Sequence, residues 1–171
     1  MKRIIVIGCP GSGKSTFSRA LHKATHLPLI HLDMLYWQAD KTIVDKSVFY
    51  DRLGKALQGD SWIIDGNYKS SMELRIKACD TIIFLDYDRA ICLKGITERQ
   101  GKPRPDMPWV ETELDEEFVE VVKNYNRDCR PQVIDLLEKY REKDIYIFKN
   151  RREADEFLSR LLQNAGENAD D

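Results

Sequence analysis

Eight residues near the N-terminus constrain this chain more than anything else in it: Gly8-Cys9-Pro10-Gly11-Ser12-Gly13-Lys14-Ser15. The spacing GxxxxGKS carries its chemistry only between a strand and a helix, and both flanks fit. Arg3-Ile4-Ile5-Val6-Ile7 is a β-branched run, the habit of a strand buried on both faces of a parallel sheet. Beyond the loop, Phe17, Ala20, Leu21 and Ala24 recur at helical spacing. Gly8, Gly11 and Gly13 let the backbone turn tightly, with Pro10 and Ser12 between them, and aim its N–H groups at phosphate oxygens. Lys14 is placed to reach the β- and γ-phosphates, and the Ser15 hydroxyl to bind Mg²⁺. Thr16 belongs to the positive end of the helix that follows. ATP and Mg²⁺ are the ligands this pattern predicts.

The remaining chain alternates in the same way. Strands are expected at residues 27–32, 62–64, 81–85 and 144–148, and helices at 48–57, 71–78, 89–100, 116–124, 131–140 and 154–162. That alternation predicts a three-layer α/β fold with a parallel sheet, in one domain over residues 1–162. Residues 163–171 are polar and acidic and are expected to fray. Gly95 falls inside an expected helix, at a cost of about 1 kcal/mol against alanine.

Charge and cysteines narrow the setting. The 27 basic and 29 acidic residues leave a net charge of −2, which provides no global field for nucleic acid or an anionic membrane. Cys9, Cys79, Cys92 and Cys129 form no metal-ligand spacing and read as free thiols of a reducing cytoplasm. No apolar run is long enough for a signal peptide or a membrane span. A cytoplasmic protein is expected. Cys9, inside the loop, reads as an oxidation-sensitive thiol or simply as a small loop residue.

In a parallel sheet ligands gather at the carboxyl ends of the strands. Asp33, Asp65 and Asp86 each follow an apolar run there. Asp65 is the candidate second partner for Mg²⁺, and Asp33 the candidate to orient an acceptor hydroxyl or assist the metal; each otherwise serves as a cap or turn residue. The stretch Gly101-Lys102-Pro103-Arg104-Pro105-Asp106-Met107-Pro108 excludes a regular helix and predicts a mobile loop. Arg99 and Arg104 flank that loop, and Arg130 starts a later helix; all three are candidate cations for a transferring phosphoryl group. Tyr36, Trp37 and Tyr68 serve either to stack on a substrate ring or to pack their segments onto the core. His22 and His26, at i and i+4, lack a third metal ligand and read as a surface helix face.

Several segments together carry a resemblance: the phosphate loop, His31-Leu32-Asp33, Trp62-Ile63-Ile64-Asp65-Gly66-Asn67-Tyr68, Phe84-Leu85-Asp86, Arg104-Pro105-Asp106-Met107, Arg130-Pro131 and Lys149-Asn150-Arg151-Arg152. From Lys2 to about Leu162 the chain resembles the adenylate-kinase-like P-loop kinases, and within them the bacterial group labelled "DNA topology modulation protein". The resemblance implies a five-stranded sheet in the order 2-3-1-4-5, a substrate-binding segment near residues 34–59 and a lid near 101–115. It implies that Asn150 and Arg151 border the adenine and that Arg99 stands near the adenine and phosphates. It places Asn67, Tyr68 and Lys69 on the acceptor side. Lys69 stands where nucleoside monophosphate kinases carry an arginine for the acceptor phosphate, so Arg52 and Arg75 become candidates for that contact. Asp88 and Gly95 stand where relatives often carry proline and arginine. The function implied is transfer of the γ-phosphoryl group of ATP to a small acceptor, a nucleotide or a hydroxylated metabolite. The alternative is a nucleotide-binding regulatory protein linked to DNA topology, although no helix-turn-helix or zinc finger is present.

Overall fold

The computed structural model describes residues 1–167. Five strands form one parallel sheet: β1 (Arg3–Gly8), β2 (Leu29–His31), β3 (Trp62–Asp65), β4 (Thr81–Leu85) and β5 (Asp144–Phe148). Their order is β2-β3-β1-β4-β5, as expected. Among the described residues, eight helices join and cover them: α1 (Lys14–Thr25), α2 (Leu32–Tyr36), α3 (Lys46–Leu57), α4 (Lys69–Ala78), α5 (Arg89–Glu98), α6 (Glu116–Asp128), α7 (Arg130–Lys139) and α8 (Arg151–Glu167).

Strand alternation sorts the core into two layers. Ile4 and Val6 of β1 face one side, with Phe17 and Leu21 of α1, Cys92 and Ile96 of α5, Val122 and Tyr125 of α6 and Phe157 of α8. Ile5 and Ile7 face the other side, against Phe49 and Leu53 of α3, Met72 and Ile76 of α4 and Val133 and Leu137 of α7. This two-sided burial is why the central strands β1, β3 and β4 read as continuous apolar runs. Trp62 is core, at 1% exposure.

Three expectations change. The run read as a strand to residue 32 ends at His31, and Leu32 opens the short helix α2, so Asp33 sits in a first helical turn. The final helix continues to Glu167, past the point where fraying was expected; residues 168–171 of the expected tail lie outside the described residues. Gly95 is a packing position. A β-carbon there would lie 2.0 Å from the carbonyl oxygen of Gly11, and one on Gly11 would lie 2.0 Å from that of Cys92. The pair of glycines lets α5 rest directly against the phosphate loop. Among the described residues no helix is long and apolar enough to cross a membrane.

Candidate active site

The loop Gly8–Ser15 leaves β1 and enters α1 as its spacing requires. Gly11 and Gly13 take φ of 82° and 89°, left-handed values that favour glycine. Lys14 Nζ donates to the carbonyls of Gly8 at 2.9 Å and Cys9 at 3.0 Å, curling back over the loop. Burial lowers its pKa. Cys9 is buried, and a hydrogen bond with Cys92 together with burial pushes its thiol pKa up. It is therefore a thiol rather than a reactive thiolate, which fits the small-loop-residue reading.

Two cavities meet at this loop. The first, about 650 Å³, is lined by residues 11–16 of the loop, by Arg99, Lys102 and Arg104, and by Arg151 and Leu158 of α8. The second, about 570 Å³, is lined by Pro10, Asn67 and several aromatic rings, among them Tyr36, Trp37, Tyr68 and Trp109. Lys14, Asp33, Gly66 and Arg99 line both.

The carboxylates at the junction have distinct partners. Asp33 Oδ1 accepts from the Tyr68 hydroxyl at 2.6 Å. Burial raises the Asp33 pKa, against the lowering effect of that hydrogen bond and of Lys14. Asp65 is 3% exposed, and His31 Nδ1 lies 2.9 Å from both its oxygens. Burial opposes charge on His31, but Asp65 outweighs it and raises the His31 pKa. His31, expected only as a strand residue, is thus the direct partner of the candidate metal ligand. Asp86 is held by Arg130, whose Nε and Nη2 donate to its two oxygens at 2.8 Å each, and by Lys149. Burial works to raise the Asp86 pKa, and these two cations bring it below the usual carboxylate range.

The loop after α5 closes over the phosphate loop through a carboxylate given no role by its position. Asp106, 2% exposed, accepts from Ser15 Oγ at 2.9 Å and from Arg104 Nη1 at 3.0 Å, and pairs with Arg19 at 3.6 Å. Arg99 is bound by Glu111, with Nη2 to Oε1 at 2.8 Å and Nε to Oε2 at 2.7 Å, and Arg104 lies 3.3 Å from the same carboxylate. Arg19, Asp106, Trp109 and Glu111 are not among the site residues expected from sequence; the Arg104–Met107 pattern and the lid expected near 101–115 are the signals that point toward the last three.

Other candidates stand away from the cleft. Arg130 joins the start of α7 to the end of β4 and lines neither cavity. Arg75 is wholly buried, donating to the carbonyls of Gly66 at 2.9 Å and Tyr68 at 3.0 Å. It shapes the Asp65–Tyr68 turn rather than meeting an acceptor. Arg52 donates to the Leu35 carbonyl at 3.1 Å, and Lys69 to that of Asp128 at 2.9 Å. Neither lines either of these two cavities. Asn150 caps α8, accepting from the Glu153 amide at 3.1 Å, while Glu153 reaches back to accept from the Lys149 amide at 2.7 Å. Of the adenine-side pair, only Arg151 reaches the first cavity. His22 bonds the Leu27 carbonyl, and no cluster of three or more metal-ligating side chains occurs among the described residues.

No protein-family model matches the chain, and no curated protein is similar to it in sequence. Solved structures are similar in fold. Shikimate kinase from Acinetobacter baumannii in complex with shikimate superposes with a TM-score of 0.61 at 16% identity, over 96% of this chain and 94% of that one. A gluconokinase from Sinorhizobium meliloti 1021 gives 0.57 at 15%, over 99% and 94%. Shikimate kinase from Bacteroides thetaiotaomicron gives 0.57 at 18%, over 95% and 97%. The chain therefore has the α/β/α fold of P-loop kinases, and at these identities the likeness is one of fold.

Proposed function

We propose that this protein transfers the γ-phosphoryl group of ATP to an alcohol of a small acceptor. One observation carries the reading: a phosphate-binding cavity and a second, aromatic cavity share Lys14, Asp33 and Arg99 at their junction. A nucleotide-binding regulator needs the first cavity; a transferase needs both, meeting where a phosphoryl group would pass. Kinase activity in the fold neighbours named above agrees with this.

The phosphate chain lies along the amides of the loop, with Lys14 turning from the Gly8 and Cys9 carbonyls to the β- and γ-oxygens. Asp33, its pKa raised by burial, accepts the proton of the acceptor hydroxyl while Tyr68 holds its other oxygen in place. The acceptor oxygen bonds to the γ-phosphorus, the bond to the bridging oxygen breaks, and ADP leaves. Lys14 and Arg99 balance the charge spread over the equatorial oxygens. The donor set suits Mg²⁺, which takes hard oxygens and needs only one or two from the protein. The Ser15 hydroxyl and the Asp65 and Asp106 carboxylates border the first cavity and would hold it. When bound, the ion neutralises phosphate charge.

The test is ADP release from ATP and Mg²⁺ with a panel of alcohols, charged and uncharged. Release should rise well above the acceptor-free rate with at least one class. A rate unmoved by every acceptor, with ATP binding intact, would leave the regulatory reading standing instead.

A further inference from the structure

We infer that the acceptor is an uncharged alcohol carrying a heteroaromatic ring, the chemistry of a nucleoside, and that its ring lies beside Trp37 and Trp109. This rests on the phosphotransferase reading and names the class of substrate for the second cavity.

The charge of that cavity argues first. Four carboxylates line it, from Asp33, Glu111, Glu113 and Asp115, against three cations, Lys14, Lys41 and Arg99. Lys14 is bent over the phosphate loop, and Arg99 is bound on two nitrogens by Glu111. Lys41 remains, with its ammonium 5.3 Å from the centroid of the Trp109 ring. An acceptor phosphate or carboxylate calls for forked guanidinium donors. Arg52, Lys69 and Arg75, the residues sequence position offers for that duty, all donate to backbone carbonyls, and none of the three lines the cavity. An anion placed here would face more carboxylate than cation.

The walls argue second. Trp37 and Trp109 meet edge to face, with centroids 5.7 Å apart and planes at 78°. Tyr36 packs on Trp37 at 5.5 Å and on Tyr68 at 4.8 Å, and Tyr68 in turn holds Asp33. A line of rings therefore runs from the proton acceptor outward, and rings are what bind flat substrates. The indole nitrogen of Trp109 is buried with no hydrogen-bond partner. A shift of the ring on substrate binding would bring this donor to an acceptor atom, which a ring nitrogen or carbonyl of a heterocycle supplies and a plain hydrocarbon ring does not. The volume of about 570 Å³ is within the range of sites that enclose ligands of this size.

The experiment measures ADP release from ATP and Mg²⁺ with purine and pyrimidine nucleosides, their 5′-monophosphates, shikimate and gluconate, in the wild type and in Trp109→Ala. At least one nucleoside should raise release about tenfold or more over the acceptor-free rate, with its 5′-monophosphate and the hydroxy acids giving little. Trp109→Ala should raise the nucleoside KM roughly tenfold and leave the KM for ATP within about twofold. Titration of the wild type with the active nucleoside should also quench tryptophan fluorescence. A monophosphate or hydroxy acid that works as well as the best nucleoside overturns the inference and leaves the phosphotransferase reading intact. So does an unchanged nucleoside KM in a folded Trp109→Ala protein. Silence from every acceptor, in a protein that still binds ATP, removes the phosphotransferase reading and this inference with it.

Discussion

The two cavities share a boundary and are built differently. The cavity at the phosphate loop is shaped by backbone: glycines, amides, and a lysine folded onto carbonyls within one run of eight residues. The aromatic cavity is shaped by side chains gathered from α2, from the turn after β3 and from the loop that follows α5. A backbone site tolerates little change and announces itself in sequence. A side-chain site can be rebuilt for another substrate while the first stays as it is, which is how one fold can serve unlike acceptors.

Substitutions on either side of the boundary should separate the two. The largest effect falls on Asp33→Asn, which should lower kcat by roughly 10²–10⁴-fold with ATP affinity nearly unchanged. In the wild type the acid limb of the kcat profile should sit above the ordinary carboxylate value of 3.8, because burial raises the Asp33 pKa, and this limb should vanish in the variant. A variant whose rate and ATP affinity fall together would break the division between the cavities. Lys14→Ala should weaken ATP binding by roughly 100-fold, read by calorimetry; unchanged affinity would contradict the phosphate-loop assignment. Gly95→Ala should cost roughly 2 kcal/mol of stability in denaturant melts, because its β-carbon meets the Gly11 carbonyl. It should also weaken ATP, because Gly95 lines the cavity at the phosphate loop.

The smallest effect is expected at His31→Gln, roughly 1 kcal/mol of stability. Its pH dependence gives it meaning. The folded pKa of His31 lies above its unfolded value of 6.5, so protonated His31 stabilises the fold fully below about pH 6.5. That contribution is lost as pH rises through the raised folded pKa. The gap between wild type and variant should therefore narrow on going alkaline; a gap that widens would show that Asp65 does not control His31.

The same division explains what could be read from sequence. Four of the five strands were legible nearly to the residue, and for β1, β3 and β4 the reason is burial on both faces, which leaves an unbroken apolar run, as in Ile4–Ile7 and Thr81–Leu85. The phosphate loop was legible because its chemistry is local. Helix α2 was hidden because five residues give too little period, so Asp33 was read at a strand end rather than in a helical turn. Asp106, Trp109 and Glu111 come from a Pro-rich loop without periodicity, and only the fold shows that they meet Ser15, Trp37 and Arg99. Arg130 and Arg75 carried the right charge, but folding commits them to Asp86 and to the turn carbonyls.

The contact between Gly11 and Gly95 acts as a spacer gauge. Arg99 follows the end of α5, about one helical turn beyond Gly95, and it borders both cavities. The absence of a side chain at Gly95 therefore sets how far the guanidinium stands from the phosphate loop. A larger residue there has to lift α5 away, carrying Arg99 outward and widening the junction of the two cavities. The size of one hydrogen atom on a helix fixes that clearance, which in the proposed reaction is the distance a phosphoryl group would travel.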